Sequence, residues 1–223
     1  MNHFTRFIKT DIDWKFAKNE CRNTVHKDAT DKEPTENFIK QLLISEHSPI
    51  RVIRIWWHWT DIKSFISVHF VRHHEGVEKW VSTQRSDRTG IKRDKLPQDA
   101  PVNMDMEANA QALITMARFR LCYQAAPETR AYMEDLKESI KEDLHQEALS
   151  DVMVPNCIYR YGCPEFKSCG YFEAFLKYKK DNNIEINSIQ ERYDVYNKYF
   201  YDNRKKKINK HETEIQSISQ EKI

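Results

Sequence analysis

The chain has 223 residues, 39% of them hydrophobic, and its 36 Lys and Arg against 34 Asp and Glu leave a formal charge of +2. That length and apolar content suffice for one substantial core and exclude a disordered chain, while the charge balance excludes a global field that would select nucleic acid or an anionic membrane, so any anion site must be local. Only four glycines occur, which excludes a glycine-rich phosphate loop and leaves side chains to hold any nucleotide.

No apolar run approaches the roughly 20 residues of a bilayer crossing, and the polar start over residues 1–18 lacks the apolar segment of a signal peptide. A cytoplasmic protein is the expectation, with the five cysteines as thiols, metal ligands or redox groups rather than structural disulfides. Residues 11–47 read as helical with a break over 27–34, after which Thr35 caps an amphipathic helix running from Phe38 to Ile44. His47, Ser48 and Pro49 end it. The β-branched and aromatic residues crowded into 50–59, including Ile53, Ile55, Trp56, Trp57 and Trp59, predict a well-buried strand. The tryptophans read as core packing rather than a base-stacking platform.

Next, Asp61 is placed to cap a short helix with Ile62, Phe65, Ile66 and Phe70 inward, delivering the chain to Arg72; residues 78–83 suit a second strand. A polar loop over 86–101 precedes a long helix expected over 108–125, and Pro127 opens another whose Met133, Leu136, Ile140 and Leu144 predict an apolar stripe with a Glu/Lys outer face. A short apolar run, Val152 to Val154, leads into Pro155, a cysteine-bearing turn and an aromatic helix over 171–178. Beyond about residue 180 the composition turns polar, and the basic run 204–207 reads as a solvated tail, without the aromatic interleaving of a nucleic-acid segment. The domain expectation is therefore 1–180 followed by a helical or disordered extension, 181–223.

The stretch 71–88, VRHHEGVEKWVSTQRSDR, carries the most chemistry. Arg72, His73 and His74 precede a hydroxyl, Ser82, and further polar and basic groups, Gln84 and Arg85. Arg grips phosphate or a pyrimidine carbonyl bidentately and His supplies a donor whose charge changes near neutral pH, so the cluster suits a phosphorylated ligand. Alternating charges on a solvated strand edge account for the same composition. His69, His73 and His74 lack a carboxylate at a metal-site spacing and read as no metal centre.

Arg72-His73-His74, seven residues and Ser82 resemble the Arg-His-Arg, seven residues, Ser signature of the flavin-dependent thymidylate synthases with one substitution. His47-Ser48-Pro49 ahead of the aromatic strand, the helix entering the signature, Val154-Pro155 and the closing Phe175-Leu176 helix are similar in order, over roughly residues 35–180. The resemblance implies an α/β (α+β) domain with a mixed or antiparallel sheet flanked by helices, here with a helical C-terminal extension. It also implies a homotetramer sharing its sites between subunits, and reductive methylation of dUMP to dTMP with FAD, NADPH and methylenetetrahydrofolate. Carried over by residue, Arg72, His73 and His74 would contact FAD or substrate, Ser82, Gln84 and Arg85 would hold the nucleotide, and Lys179 would stand in for a terminal-helix arginine that assists pyrimidine ionisation. The chain departs from the family at His74, at Arg51-Val52 in place of Glu-His, at Gln84-Arg85 in place of Arg-Tyr, and at Asp151 in place of an arginine, with Arg118, Arg120 or Arg130 available to compensate. A flavin- or nucleotide-binding protein without the reaction, or a related uridylate-modifying enzyme, fits the same residues.

Cys122, Cys157, Cys163 and Cys169 fit a zinc or iron-sulfur site, although not at CxxC spacing; buried or incidental thiols are the other reading.

Overall fold

The computed structural model describes residues 4–220, with side chains through Arg204. In chain order the elements are β1 (Thr5–Asp11), α1 (Trp14–Asn23), α2 (Glu36–Ile44), a 3-10 turn (Ser48–Val52), β2 (Arg54–Lys63), α3 (Ser64–Val71), β3 (Val77–Val81), α4 (Ser86–Thr89), a second 3-10 turn (Arg93–Lys95) and β4 (Pro101–Asn109). There follow α5 (Ala110–Arg120), α6 (Pro127–Glu142), α7 (Glu147–Val152), α8 (Asn156–Arg160), α9 (Tyr171–Asp181) and α10 (Ile189–Gln220). The four strands pair antiparallel in the order β1-β2-β4-β3. The fold is α+β, an antiparallel sheet flanked by helices, with a long C-terminal helix.

β2 is the strand expected from the aromatic run, shifted along the chain. Pro49 favours the 3-10 turn at residues 48–52, and pairing begins at Arg54. Ile55, Trp57, Trp59 and Ile62 are buried, and Trp59 packs on Phe70 of α3 at 4.6 Å between ring centroids. Asp61 does not cap α3: it sits at φ 52 in a register shift of β2, and Ile62 belongs to the strand. Instead the carbonyls of Ala100 and Gln98 accept from the first two N–H groups of α3, those of Ser64 and Phe65. Thr35 does cap α2, its hydroxyl accepting from the Phe38 N–H at 3.2 Å.

Two strands escaped the sequence reading, β1 and the central β4. The helix expected from residue 108 begins at Ala110, and Val102, Met104, Met106 and Ala108 alternate inward on a strand paired on both sides. Asn109 ends it and caps α5 by accepting from the Ala112 N–H.

α6 has its apolar stripe, with Met133, Leu136 and Ile140 buried, yet its charged face is enclosed as well. Asp135 accepts from the Thr5 N–H at 2.8 Å, Lys137 donates to the Ser150 carbonyl, and Arg204 binds Glu134 and Glu138. Arg204 is therefore not a solvated tail residue; the side chains of Lys205 to Lys207 lie outside the described residues. Tyr193, Tyr196 and Phe200 bring α10 into the core. Among the described residues no helix is long and apolar enough to cross a membrane.

Candidate functional site

The cationic residues gather where α3 turns into β3. Arg72 ends α3 with right-handed helical dihedrals, and the His73 N–H closes the turn onto the Phe70 carbonyl at 3.0 Å. Gly76 then reverses the chain at φ 68, where a Cβ would stand 2.3 Å from the Asn109 side-chain amide, so both dihedral and space require glycine. His73 is half-buried, while Arg72 and His74 are exposed.

The organiser of the cluster comes from α5. Arg120 donates through Nε to His73 Nε2 at 2.9 Å and through Nη2 to the His69 carbonyl, and Lys79 donates to the His73 carbonyl at 2.7 Å. Because a guanidinium only donates, His73 Nε2 must be the bare nitrogen, and the proton of the neutral ring lies on Nδ1. Burial, then the charges of Arg120, Lys79 and His74, lower the His73 pKa to about 4, so the ring is neutral at physiological pH. Burial and then Arg72 lower the Arg120 pKa; burial, Arg120 and Arg72 likewise lower that of His69, whose Nδ1 meets the Thr129 hydroxyl at 2.7 Å. Among the described residues the Arg72 backbone N–H donates to the Phe70 carbonyl, and its exposed side chain joins no hydrogen bond or ion pair. The result is a cationic cluster around a neutral imidazole donor, suited to an anion or an electron-rich carbonyl.

The remaining sequence candidates are placed elsewhere. Ser82 follows β3 and prolongs its ladder: its N–H donates to the Asn103 carbonyl at 2.8 Å, and its Oγ accepts from the Asn103 N–H at 2.9 Å. The trio precedes β3 and Ser82 follows it, so at about 3.4 Å per residue roughly 17 Å separates Val77 from Ser82. One copy of the chain therefore does not bring trio and hydroxyl together. Gln84 is half-buried and exposed Arg85 is held bidentately by Asp87 at 3.0 and 2.8 Å. Lys179 lies in the last turn of α9 beside an open depression of about 400 Å³ that Leu176 and Glu185 also line. Of the three arginines available to compensate Asp151, only Arg120 joins the cationic cluster. Arg118 pairs with Glu46 and lies 3.6 Å over Tyr159; Arg130 pairs with Glu134 and lies 3.9 Å over Tyr123. Asp151 itself is half-buried, and its raised pKa reflects desolvation with the charge of Lys137 opposing.

A cavity of about 520 Å³ opens between α1, α2 and the 3-10 turn that follows them. Val25, Phe38 and Leu42 form its apolar wall; Thr24, His47 and Ser48 give it a polar side. Sequence reading marked only the His47-Ser48-Pro49 end of it, because Thr24 and Val25 sit in a helix terminus with no motif.

Among the described residues no group of three or more His, Cys, Asp or Glu stands assembled to hold a metal. The four later cysteines are free thiols, Cys157 buried, Cys122 and Cys163 half-buried and Cys169 exposed.

No family model and no curated protein matches the sequence. Solved structures match the fold. The UMP/dUMP methylase PolB from Streptomyces cacaoi, bound with 5-Br dUMP, superposes with a TM-score of 0.52 at 14% identity, over 69% of this chain and 97% of that one. The flavin-dependent thymidylate synthase ThyX from Helicobacter pylori, complexed with FAD and dUMP, gives a TM-score of 0.54 at 11% identity, over 66% of this chain and 98% of that one.

Proposed function

We propose that this chain is a flavin-dependent uridylate methylase that binds FAD and dUMP and converts dUMP to dTMP, with methylenetetrahydrofolate as carbon donor and NADPH as reductant. The observation that carries the reading is the cationic cluster of Arg72, His73 and Arg120 in a fold shared with proteins solved with FAD and dUMP. When bound, the flavin supplies the hydride chemistry; the chain's own residues bind, orient and stabilise charge. In this reading Arg72 attracts the anionic ligand and His73 offers Nδ1–H as a neutral donor to the cofactor. His74 lies at the exposed rim of that cofactor site, and Ser82, Gln84 and Arg85 contact the nucleotide. Lys179 assists ionisation of the pyrimidine, and the 520 Å³ cavity beside His47 and Ser48 is of the size that receives a planar ring.

Because β3 separates the trio from Ser82, the site is completed by another copy, in a homotetramer. The position of β3 at the sheet edge and the exposed Trp80 on it support that assembly. Residues 1–180 would form the catalytic unit and 181–223 its extension. The reduced nicotinamide and folate place the reaction in the cytoplasm.

A related uridylate-modifying reaction is the second reading. It is favoured by the fold neighbour solved with both 5-Br dUMP and 5-Br UMP, and by Arg85 and Asp151 being tied to other partners. The test is purified protein supplied with FAD, NADPH, methylenetetrahydrofolate and either dUMP or UMP, with flavin absorbance and nucleotide mass as readouts. A yellow protein that adds a methyl group to the nucleotide, and loses on the order of 100-fold of its rate in Arg72→Ala, is the expected result. A soluble assembly that takes up neither FAD nor nucleotide overturns the proposal, and product from UMP alone replaces it by the second reading.

A further inference from the structure

We propose that Phe119 is the ring-binding residue of the cationic cluster: its exposed side chain receives the planar heterocycle of a phosphorylated ligand whose anionic group Arg72 and Arg120 hold. This assignment rests on the methylase reading, which supplies FAD and dUMP as the ligands, and adds to it the side chain that separates a nucleotide from any other phosphate ester.

α5 buries Leu113, Met116 and Ala117, yet it leaves Phe119, in its last turn, 54% exposed. A lone exposed ring is ordinary on a protein surface, and what marks this one is its company. Arg120, the next residue, donates to His73 Nε2 through Nε and to the His69 carbonyl through Nη2. The His73 ring lies 6.3 Å from that of Phe119 between centroids, tilted by 47°. The charge of Arg72, whose side chain is exposed, bears on Arg120. A phenyl ring and an imidazole thus stand side by side next to two guanidinium groups.

The surroundings select the partner that covers the ring. An apolar side chain of a second copy laid on Phe119 would draw the neighbouring guanidinium groups out of water without supplying an anion, and a buried charge without a partner is strongly unfavourable. A nucleotide meets both needs in one molecule. Its heterocycle packs on the phenyl face, and its phosphate or ring carbonyls accept from the guanidinium donors. Stacking reads planarity rather than a hydrogen-bond pattern, so an isoalloxazine, an adenine or a uracil suits the same face.

The test is equilibrium titration of the full-length protein with FAD and, separately, with dUMP, in wild type, Phe119→Leu, Phe119→Tyr and Arg72→Ala, with sedimentation velocity on each protein. Leu keeps the apolar bulk and loses the planar face; Tyr keeps the face. Phe119→Leu should bind one of the two ligands about tenfold more weakly, the size of effect that loss of one stacked ring produces. Phe119→Tyr should bind that ligand as wild type does, Arg72→Ala should weaken the same ligand, and both Phe119 variants should sediment as wild type. The ligand that weakens is the one whose ring lies on Phe119. Equal affinity of Phe119→Leu and wild type for both ligands overturns the assignment and leaves the methylase reading standing. So does a Phe119→Leu species smaller than wild type, which makes Phe119 a subunit contact, or a Tyr variant as weak as the Leu variant. Losses that fall on different ligands in Phe119→Leu and Arg72→Ala overturn it too. Wild type that takes up neither ligand removes the assignment together with the reading beneath it.

Discussion

His73 shows how much one neighbour decides. In sequence it is the middle of three basic residues; in the fold, burial and the Arg120 guanidinium fix its charge, its tautomer and its direction. Arg120→Ala removes the largest charge acting on the ring and leaves the burial, so the His73 pKa should rise from about 4 toward its ordinary value, followed by NMR titration of the ring protons. An unmoved pKa would refute the assignment. The sign of the linked stability follows. A histidine depressed in the folded state binds fewer protons than in the unfolded chain, so its contribution is present above the unfolded value near 6.5 and is lost as pH falls toward about 4. Removing Arg120 narrows that window. Arg85 is paired with Asp87 before any ligand arrives, and the charge of Lys137 bears on Asp151.

At the scale of elements, α6 is the most informative. Its Glu and Lys residues have the spacing of a solvated face, but β1, α7 and α10 close over them, and the charges become paired interior groups. Lys137 is fully buried, lies between Tyr196 and Phe200, and has its pKa lowered to about 7 by burial, with Asp151 opposing. Lys137→Met fills similar volume but strands Asp151 and the Ser150 carbonyl, so a loss of about 3 kcal/mol in chemical denaturation is the expected outcome. The pH dependence has a definite sign. Between about 7 and the unfolded value near 10.4 the folded wild type binds fewer protons, so its stability gains with rising pH and the deficit of the variant grows from pH 7 to pH 9. A pH-independent deficit would show that Lys137 does not titrate there.

For the molecule as a whole, the governing fact is that the cationic cluster and Ser82 lie at opposite ends of an edge strand. Trp80 on that strand is 56% exposed, and neighbouring Val81 is 38% exposed. If a second copy covers them, Trp80→Glu should place a charge in the interface and shift the sedimentation coefficient to smaller species, with nucleotide binding weakened in parallel. A wild-type chain that sediments as a monomer at assay concentration would refute this.

By itself the sequence determined what local chemistry controls: the aromatic β2 strand, the Thr35-capped helix, the apolar stripe of α6 and the dense run Arg72 to Arg85. Each is specified by neighbours within a few residues, through side-chain alternation, capping or helical spacing. Only the tertiary structure decided that Val102 to Ala108 is a strand, because partners on both sides override the helix preference of Met and Ala. It also brought Arg120 across 47 residues to His73 and turned the charged face of α6 inward. Long-range pairing and burial depend on which surfaces meet, and no spacing along a chain encodes that.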